Sequence, residues 1–316
     1  MAARNVRAGG RRYRRSRFLR HDSRGVVSVV GTLLALLVFF SLFGIFLTQF
    51  VPLWMTDNEV QFTSQAQASI GTFKSNIDSQ LSFGGPQVYA TPFVMSSSGI
   101  PLLAQPTAGV LRFLPSTPGM FAAVRMDVGP GGGPAYQQNL STMGTLSMTL
   151  PNRYFVPQVF QFEDDAVVQA QVSGNQVVYF PPILQVRAVP GNSSASLALV
   201  NLYGNSTTAV TSGTQDVYSR YLFAQTIVSN GKHVANGPNL PFNVTFKIGT
   251  QFPCAWQSYL NRTLAPSGMT FSLTPTAPTC SSVIASPSVV SLTLRNLNYF
   301  VLYFAGFQIT LGVGAS

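Results

Sequence analysis

Charged residues are scarce in this sequence. Lys, Arg, Asp and Glu make up 9% of the 316 residues, against about a quarter in an ordinary soluble domain. From Ser82 to the C-terminus there are nine basic and five acidic residues. The surface of this part must therefore be solvated mainly by Ser, Thr, Asn and Gln. A low number of carboxylates would suit an acidic exterior, because ion pairs that need ionised carboxylates are lost as the pH falls. It would equally suit lateral packing in a filament or surface layer.

Histidine is nearly absent, which leaves little for acid–base chemistry at neutral pH. His21 lies in the N-terminal leader, and His233 lies in a turn-like Ser-Asn-Gly-Lys-His stretch. The sequence contains no G-x-S-x-G, H-E-x-x-H or P-loop pattern, each of which would indicate a known chemistry. We therefore predict a protein that is not an enzyme, with no cofactor and no metal site. A secreted hydrolase is the least favoured functional class.

Three of the nine acidic residues form a cluster, Glu163-Asp164-Asp165. Calcium needs about 6–8 oxygen ligands, and adjacent carboxylates on a strand alternate sides instead of converging. We therefore predict a hairpin turn here. The alternative is a carboxylate pair for glycoside hydrolysis, if the cluster meets Asp127 or Asp216 in the folded chain.

The two cysteines, Cys254 and Cys280, both follow the long apolar segment described below. In an oxidising compartment a single pair is typical of one disulfide, and the alternative is two unrelated buried thiols. Five N-x-S/T sequons are candidates for glycosylation. They are Asn139, Asn192, Asn205, Asn243 and Asn261.

One segment, residues 26–51, has no charge and consists mostly of Val, Leu and Phe. About 20 apolar residues suffice for a helix to cross a bilayer, whereas a secretory signal peptide has an apolar region of about 7–15 residues. Trp54 follows, where aromatic residues collect at membrane interfaces. We predict a retained transmembrane helix over residues 26–54.

The basic residues are concentrated before this segment. Nine of the nineteen are arginines within residues 1–25. By the positive-inside rule this leader stays in the cytoplasm, and the chain after Trp54 lies outside the cell as a single-pass membrane protein. The alternative is an arm that binds nucleic acid through phosphate contacts. We expect membrane lipid to be the partner and no nucleic acid to bind.

Residues 55–83 are predicted to form an amphipathic stalk helix. Ile70, Phe73, Ile77 and Leu81 recur at spacings of three and four, which places them on one face of a helix. Val60 and Ala66 extend this stripe less clearly. The stripe would pack against the protein's own outer domain or, alternatively, against another helix in an oligomer or filament.

Residues 84–316 have the texture of short strands separated by Gly, Pro, Asn and Ser. Predicted strands are 88–95, 109–114, 121–128, 145–150, 154–162, 166–172, 176–180, 184–189, 196–202, 218–228, 242–249, 269–273, 289–294 and 299–313. Residues 253–264 are predicted to form a helix, with Trp256, Leu260 and Leu264 on one face. The fold class is therefore mainly β, an antiparallel β-sandwich-like ectodomain after a long N-terminal α-helix.

Several stretches resemble archaeal type IV pilin-like envelope proteins. Arg24-Gly25 before VVSVVGTLL at 26–34 resembles a class III signal. QFVPLWM at 49–55 and FKSNID at 73–78 resemble a large, largely uncharacterised archaeal family with a pilin-like N-terminal helix. NRYF at 152–155, EDDAVV at 163–168 and PCAW at 253–256 are also similar to that family.

This resemblance implies cleavage by a prepilin-type peptidase after Gly25, with Arg24, Gly25 and Val26 as the processing site. The helix would be kept as an anchor or as a filament core that self-associates. The leading hypothesis is a structural or adhesive protein of the archaeal cell envelope. The alternative is a tethered module that binds an extracellular carbohydrate or peptide.

Overall fold

The structure is a computed structural model that describes residues 23–116, 121–128, 140–189, 193–229, 242–274 and 287–312. It begins with helix α1, Ser23–Ile45, followed by a π-helical turn, Phe46–Phe50, and helix α2, Val51–Phe83. Pro52 follows this turn and, because it has no backbone N–H, interrupts the hydrogen bonds of the helix. Single π-helical turns commonly occur where the α-helical hydrogen-bond pattern is interrupted. The chain divides into two compact units, Met1–Phe50 and Val51–Ser316.

Sixteen strands and a third helix follow in the described part of the chain. The strands are β1 Val88–Val94, β2 Val110–Leu114, β3 Phe121–Val128, β4 Leu140–Thr142, β5 Thr145–Leu150, β6 Gln158–Glu163, β7 Ala166–Gln171, β8 Gln176–Phe180, β9 Leu184–Arg187, β10 Ser194–Tyr203, β11 Thr207–Ala209, β12 Thr214–Ser229, β13 Phe242–Thr250, β14 Phe271–Thr274, β15 Ser288–Leu297 and β16 Tyr299–Leu311. Helix α3, Pro253–Leu264, has the predicted bounds. The predicted fold class, a long N-terminal helix before a mainly antiparallel β region, is confirmed.

The strands form three sheets. Sheet I has the order β1-β12-β16-β10-β9, sheet II the order β11-β2-β5-β6-β7-β8, and sheet III the order β14-β15-β13-β3-β4. All strand pairs are antiparallel except β10 with β16, which is parallel. Strands buried on both faces read as nearly continuous apolar runs, and β16 is such a strand. Its Phe300 and Leu302 belong to one core, whereas Phe307 and Ile309 belong to a second.

The first core lies among sheet III, α3, β7 and the central strands of sheet I. Trp256, Leu260 and Leu264 of α3 are fully buried in it. The second core is built around α2. Its helical residues are Phe62, Ala66, Ile70, Phe73 and Ile77, each at most 1% exposed.

The α2 stripe therefore packs against the protein's own strands, the first of the two alternatives that the sequence left open. Phe73 makes an edge-to-face contact with Phe162 of β6, with ring centroids 5.2 Å apart. Leu81 packs partly against this core, while Val60 is 42% exposed and lies off the stripe. Because α2 supplies one wall of the second core, the β domain includes the helix from Val51 onward.

Candidate functional site

Helix α1 is the first candidate element. One helix in the described residues is long and apolar enough to cross a membrane. Its large apolar side chains are exposed to solvent; Leu37 and Phe40, for example, are each 62% exposed. Burying such side chains in an apolar medium contributes roughly 1.5–3 kcal/mol each. α1 thus presents an unpartnered apolar surface.

The acidic cluster forms the predicted hairpin turn. Asp164 and Asp165 connect β6 to β7 with φ of 48° and 65°, as a type I′ turn requires. All three carboxylates of the cluster are buried, with exposures of 5%, 7% and 0% for Glu163, Asp164 and Asp165. The turn was predicted from the sequence, but the burial of its carboxylates was not. Since unpaired buried charge is costly, each carboxylate needs its own partners.

Glu163 joins the turn to sheet III and α3. Its Oε1 accepts hydrogen bonds from Thr250 Oγ1 and Trp256 Nε1, both at 2.6 Å. Its Oε2 accepts one from Gln161 Nε2 at 2.7 Å. Burial raises the pKa of Glu163, while these three hydrogen bonds oppose the rise. The carboxyl group therefore fixes the position of α3 against β6.

Asp164 joins the turn to β4 and β10. Thr142 Oγ1 donates to its Oδ1 at 3.1 Å, and the backbone N–H of Val200 also donates to the carboxylate. Burial raises the pKa of Asp164 well above its usual range, and the neighbouring Asp165 adds to the rise.

Asp165 joins the turn to α2. Lys74 Nζ lies 3.0 Å from Asp165 Oδ1 and 2.7 Å from Asp78 Oδ1, and the backbone N–H of Ile183 donates to Asp165 Oδ2 at 2.9 Å. Burial raises the pKa of Asp165 to about 7, against the attraction of Lys74. One two-residue turn thus connects α2 and all three sheets.

A fourth buried carboxylate, that of Glu59 on α2, binds two loops. Its Oε1 accepts from Thr107 Oγ1 at 2.7 Å and from the Arg153 backbone N–H at 3.0 Å. Its Oε2 accepts from the backbone N–H groups of Tyr154 and Phe155, both at 2.7 Å. Burial raises the pKa of Glu59, but the hydrogen bonds from Arg153, Thr107, Phe155 and Tyr154 outweigh it, so the pKa is lowered.

Among the side chains that the structure describes, these carboxylates do not form the glycosidase pair that the sequence suggested as an alternative. Asp216 is exposed on β12, whereas the three carboxylates of the turn are buried and point to different elements. Asp127 lies in β3 opposite Asn243, and its side chain is outside the described residues, as is His233. Within the described ranges, no group of three or more His, Cys, Asp or Glu could hold a metal ion.

Sheet I carries an exposed group of aromatic rings. Phe223 of β12 lies opposite Gly306 of β16, one residue beyond a bulge at Leu222. A Cβ atom at Gly306 would lie 2.5 Å from Phe223 Cε1 and 2.8 Å from Tyr203 Cε2. The two rings therefore lie over the glycine, with centroids 6.3 Å apart, and Phe304 contacts Phe223 at 5.8 Å.

Polar side chains border these rings. Arg220 and Tyr203 both lie opposite Gln308, and directly opposed residues share one side of a sheet. Tyr203 and Phe223 are each 39% exposed. We call this set, Tyr203, Arg220, Phe223, Phe304 and Gln308 around Gly306, the aromatic face. The aromatic face was not predicted from the sequence, although a glycine inside an apolar strand commonly marks a close approach of other groups.

The other predicted site residues are located as follows. Arg24, Gly25 and Val26 lie in the first turn of α1. Cys254 is disulfide-bonded, and Cys280 lies outside the described residues. Asn205 and Asn261 are exposed, on the β10–β11 loop and α3, whereas Asn243 is half-buried and accepts from the Asn296 N–H at 3.3 Å. Asn139 and Asn192 lie outside the described residues, so glycosylation stays a prediction.

Comparisons with protein-family models, with curated proteins and with solved structures found no match for this chain. The fold and the contacts above are therefore the basis for assigning a function. They define a β domain built around the second half of a long helix whose first half is apolar and exposed.

Proposed function

We propose that the protein is a membrane-anchored, extracytoplasmic component of the cell envelope, pilin-like and structural or adhesive rather than enzymatic. The observation that carries this proposal is the contrast between the two helices. α1 exposes its apolar side chains along its length, while α2 forms one wall of the domain core. A bilayer, or a bundle of α1 helices from other copies, would cover that apolar surface.

The orientation follows from the leader. Nine arginines precede the apolar segment, and positive residues are retained on the cytoplasmic side. The β domain would then face an oxidising exterior, where the disulfide at Cys254 and glycans at exposed asparagines are chemically reasonable. Electron microscopy of cells that express the protein tests its arrangement. Filaments would indicate self-association, whereas scattered particles would indicate a lone anchor.

Processing by a prepilin-type peptidase provides a direct test of the pilin-like proposal. We expect Gly25→Leu and Arg24→Gln to retain the leader, because the resemblance places the cleaved bond after Gly25. Arg20→Gln, which removes a leader arginine farther away, should be processed normally. Intact-mass measurement of the membrane fraction gives the N-terminus. A wild-type protein that keeps residues 1–25 would contradict the pilin-like processing.

A tethered binding module is the second candidate, and the aromatic face supports it. Exposed rings bordered by Arg and Gln offer apolar stacking together with hydrogen bonds, a combination suited to the faces of sugar rings or to an extended peptide. On this hypothesis α1 only holds the domain at the surface.

Substitutions at the aromatic face test this module. Tyr203→Ala should lower the affinity for a glycan identified on an array by about tenfold. The reason is that an aromatic contact contributes about 0.5–1.5 kcal/mol beyond its buried area. Tyr303→Ala is the control, because Tyr303 is 43% exposed on the same β16 but alternates to the opposite side. Equal effects of both changes, or no glycan bound by the full chain in detergent, would exclude the aromatic face as a sugar site.

A further inference from the structure

Exposed apolar side chains lie on the first turns of α2 and on two loops that are bound to them. Two belong to the helix itself, and the others lie on the loops 98–107 and 151–157. Leu102 is 106% exposed, and the other five are between 37% and 57% exposed. We call the set the proximal apolar surface: Leu53, Trp54, Leu102, Leu103, Tyr154 and Val156.

Both loops are fixed to the same part of α2. Asn58 Nδ2 donates to the Ser98 carbonyl at 2.9 Å, and Thr107 closes the same loop by its bond to Glu59. The other Glu59 oxygen holds the N–H groups of Tyr154 and Phe155. Thr107 and the Tyr154 backbone are therefore bound to one carboxylate, which brings the bases of the two loops together beside the first turns of α2.

The loop that carries Leu102 is closed on itself. The Ile100 and Ala104 backbones exchange two hydrogen bonds, of 2.9 and 3.0 Å. A Cβ atom at Gly99 would lie 2.8 Å from the Ala104 carbonyl oxygen, so the turn requires glycine there. Leu102 has φ of 64°, a conformation that disfavours a leucine. A fully exposed leucine at this position gains nothing from the protein's own core.

In sequence, the first residues of this surface come directly after the apolar segment. Val51 follows Phe50 directly, and residues 26–51 carry no charge. Asn58 is seven residues beyond Val51, or about 10 Å along a helix at 1.5 Å per residue. The headgroup region on each side of a bilayer is roughly 5–8 Å thick. A segment that ends at the hydrocarbon boundary thus places Leu53 and Trp54 at headgroup level. Asn58 lies just beyond that level, and Leu102, four residues from Ser98 in the loop that Asn58 holds, can reach back across this distance.

We propose that the proximal apolar surface docks into the headgroup region of the bilayer that holds α1. This inference rests on the proposed membrane anchoring. Leu102 and Leu103 would enter the apolar boundary, and Trp54 and Tyr154 would take the interfacial positions such rings prefer. Arg153, exposed beside Tyr154, suits an anionic headgroup. Asp57 is the other exposed charge in these three segments. Glu59 then sets the orientation of the β domain on the membrane.

Fluorescence quenching in vesicles tests the docking. The full chain is reconstituted in phosphatidylcholine vesicles with or without acyl-brominated lipid, with an environment-sensitive dye at Leu102→Cys and the native disulfide kept oxidised. Surfaces of this kind enter about 5–10 Å into the interface, so we expect a blue-shifted emission and a loss of about half of it to brominated lipid. Phe83→Cys is the control, because Phe83 is 73% exposed at the far end of α2.

Each result has a distinct meaning. Co-flotation with the vesicles and quenching at position 102 but not at 83 support docking. Co-flotation with equal emission at both positions overturns docking and leaves the anchoring intact. A chain that does not float with the vesicles overturns the anchoring proposal and docking with it. A dye at Val156→Cys repeats the measurement on the second loop, and it should be quenched together with position 102.

Discussion

Glu59→Gln is expected to lower the free energy of unfolding by about 2–4 kcal/mol. The substitution keeps the shape of the side chain but puts an amide NH₂ where a carboxylate oxygen accepts two hydrogen bonds. At least one part-buried backbone N–H among Arg153, Tyr154 and Phe155 then loses its acceptor. An unsatisfied buried group costs about 1–3 kcal/mol, and hydrogen bonds to charged groups contribute about 1.5–3.

Asp57→Asn is the matched control for this change. It removes the same charge two residues earlier on α2, but Asp57 is exposed, and such surface changes stay within about 0.5 kcal/mol. Urea unfolding of the full chain in detergent, followed by near-ultraviolet circular dichroism, measures both variants. Equal stability of Glu59→Gln and wild type would show that Glu59 does not hold the two loops.

Lowering the pH from 7 to 5 is expected to stabilise the protein. The pKa values of Glu163, Asp164 and Asp165 are all raised by burial. The folded state therefore binds more protons than the unfolded state in this range, and stability falls as the pH rises. For Asp165 this pH range extends from the ordinary pKa of 3.8 to the folded-state pKa of about 7. At about 1.4 kcal/mol per pH unit, protonation of Asp165 contributes up to about 4 kcal/mol to the free energy of unfolding.

Asp165→Asn should reduce the slope of this pH dependence, leaving the part due to Glu163 and Asp164, because the amide cannot ionise but can still accept from the Ile183 N–H. Asp216→Asn, at an exposed site on β12, should leave the slope unchanged. Below pH 4.5 the direction reverses for Glu59. Its lowered pKa means that its stabilisation is present above 4.5 and lost as the pH falls further. A wild-type stability that decreases from pH 7 to 5 would contradict the assigned shifts.

The same titration bears on the scarcity of charge. An acidic exterior favours proteins whose carboxylates are few and already protonated when buried, and the raised pKa values of the hairpin turn fit that setting. Circular dichroism of the full chain during acid titration provides the check. Unfolding above about pH 3 would exclude adaptation to acid and would leave lateral packing as the reason for the low charge.

Periodicity predicted the elements well because it is a local property. Every predicted strand run overlaps an observed strand, and helix α3 matches its prediction. The strands β4 and β11, of three residues each, were missed because three residues are too few for alternation to show. The parallel pairing of β10 with β16 was also missed, since pairing depends on residues about 100 positions apart in the chain.

Three of the stretches that resemble the archaeal family take part in the contacts of the buried carboxylates. The NRYF stretch supplies the N–H groups that bind Glu59, the EDD turn joins three sheets, and Trp256 of PCAW donates to Glu163. None of this could be read from the sequence, because a carboxylate next to a turn is usually solvated. Its burial depends on partners from distant strands.

The sequence by itself determined the apolar segment, the basic leader and the helix and strand pattern, since composition and spacing within about 20 residues suffice for these. Tertiary structure alone decided that α2 is part of the β domain's core, that four carboxylates are buried, and which rings remain exposed around Gly306. These features arise from contacts between residues far apart in the chain, which no local pattern encodes.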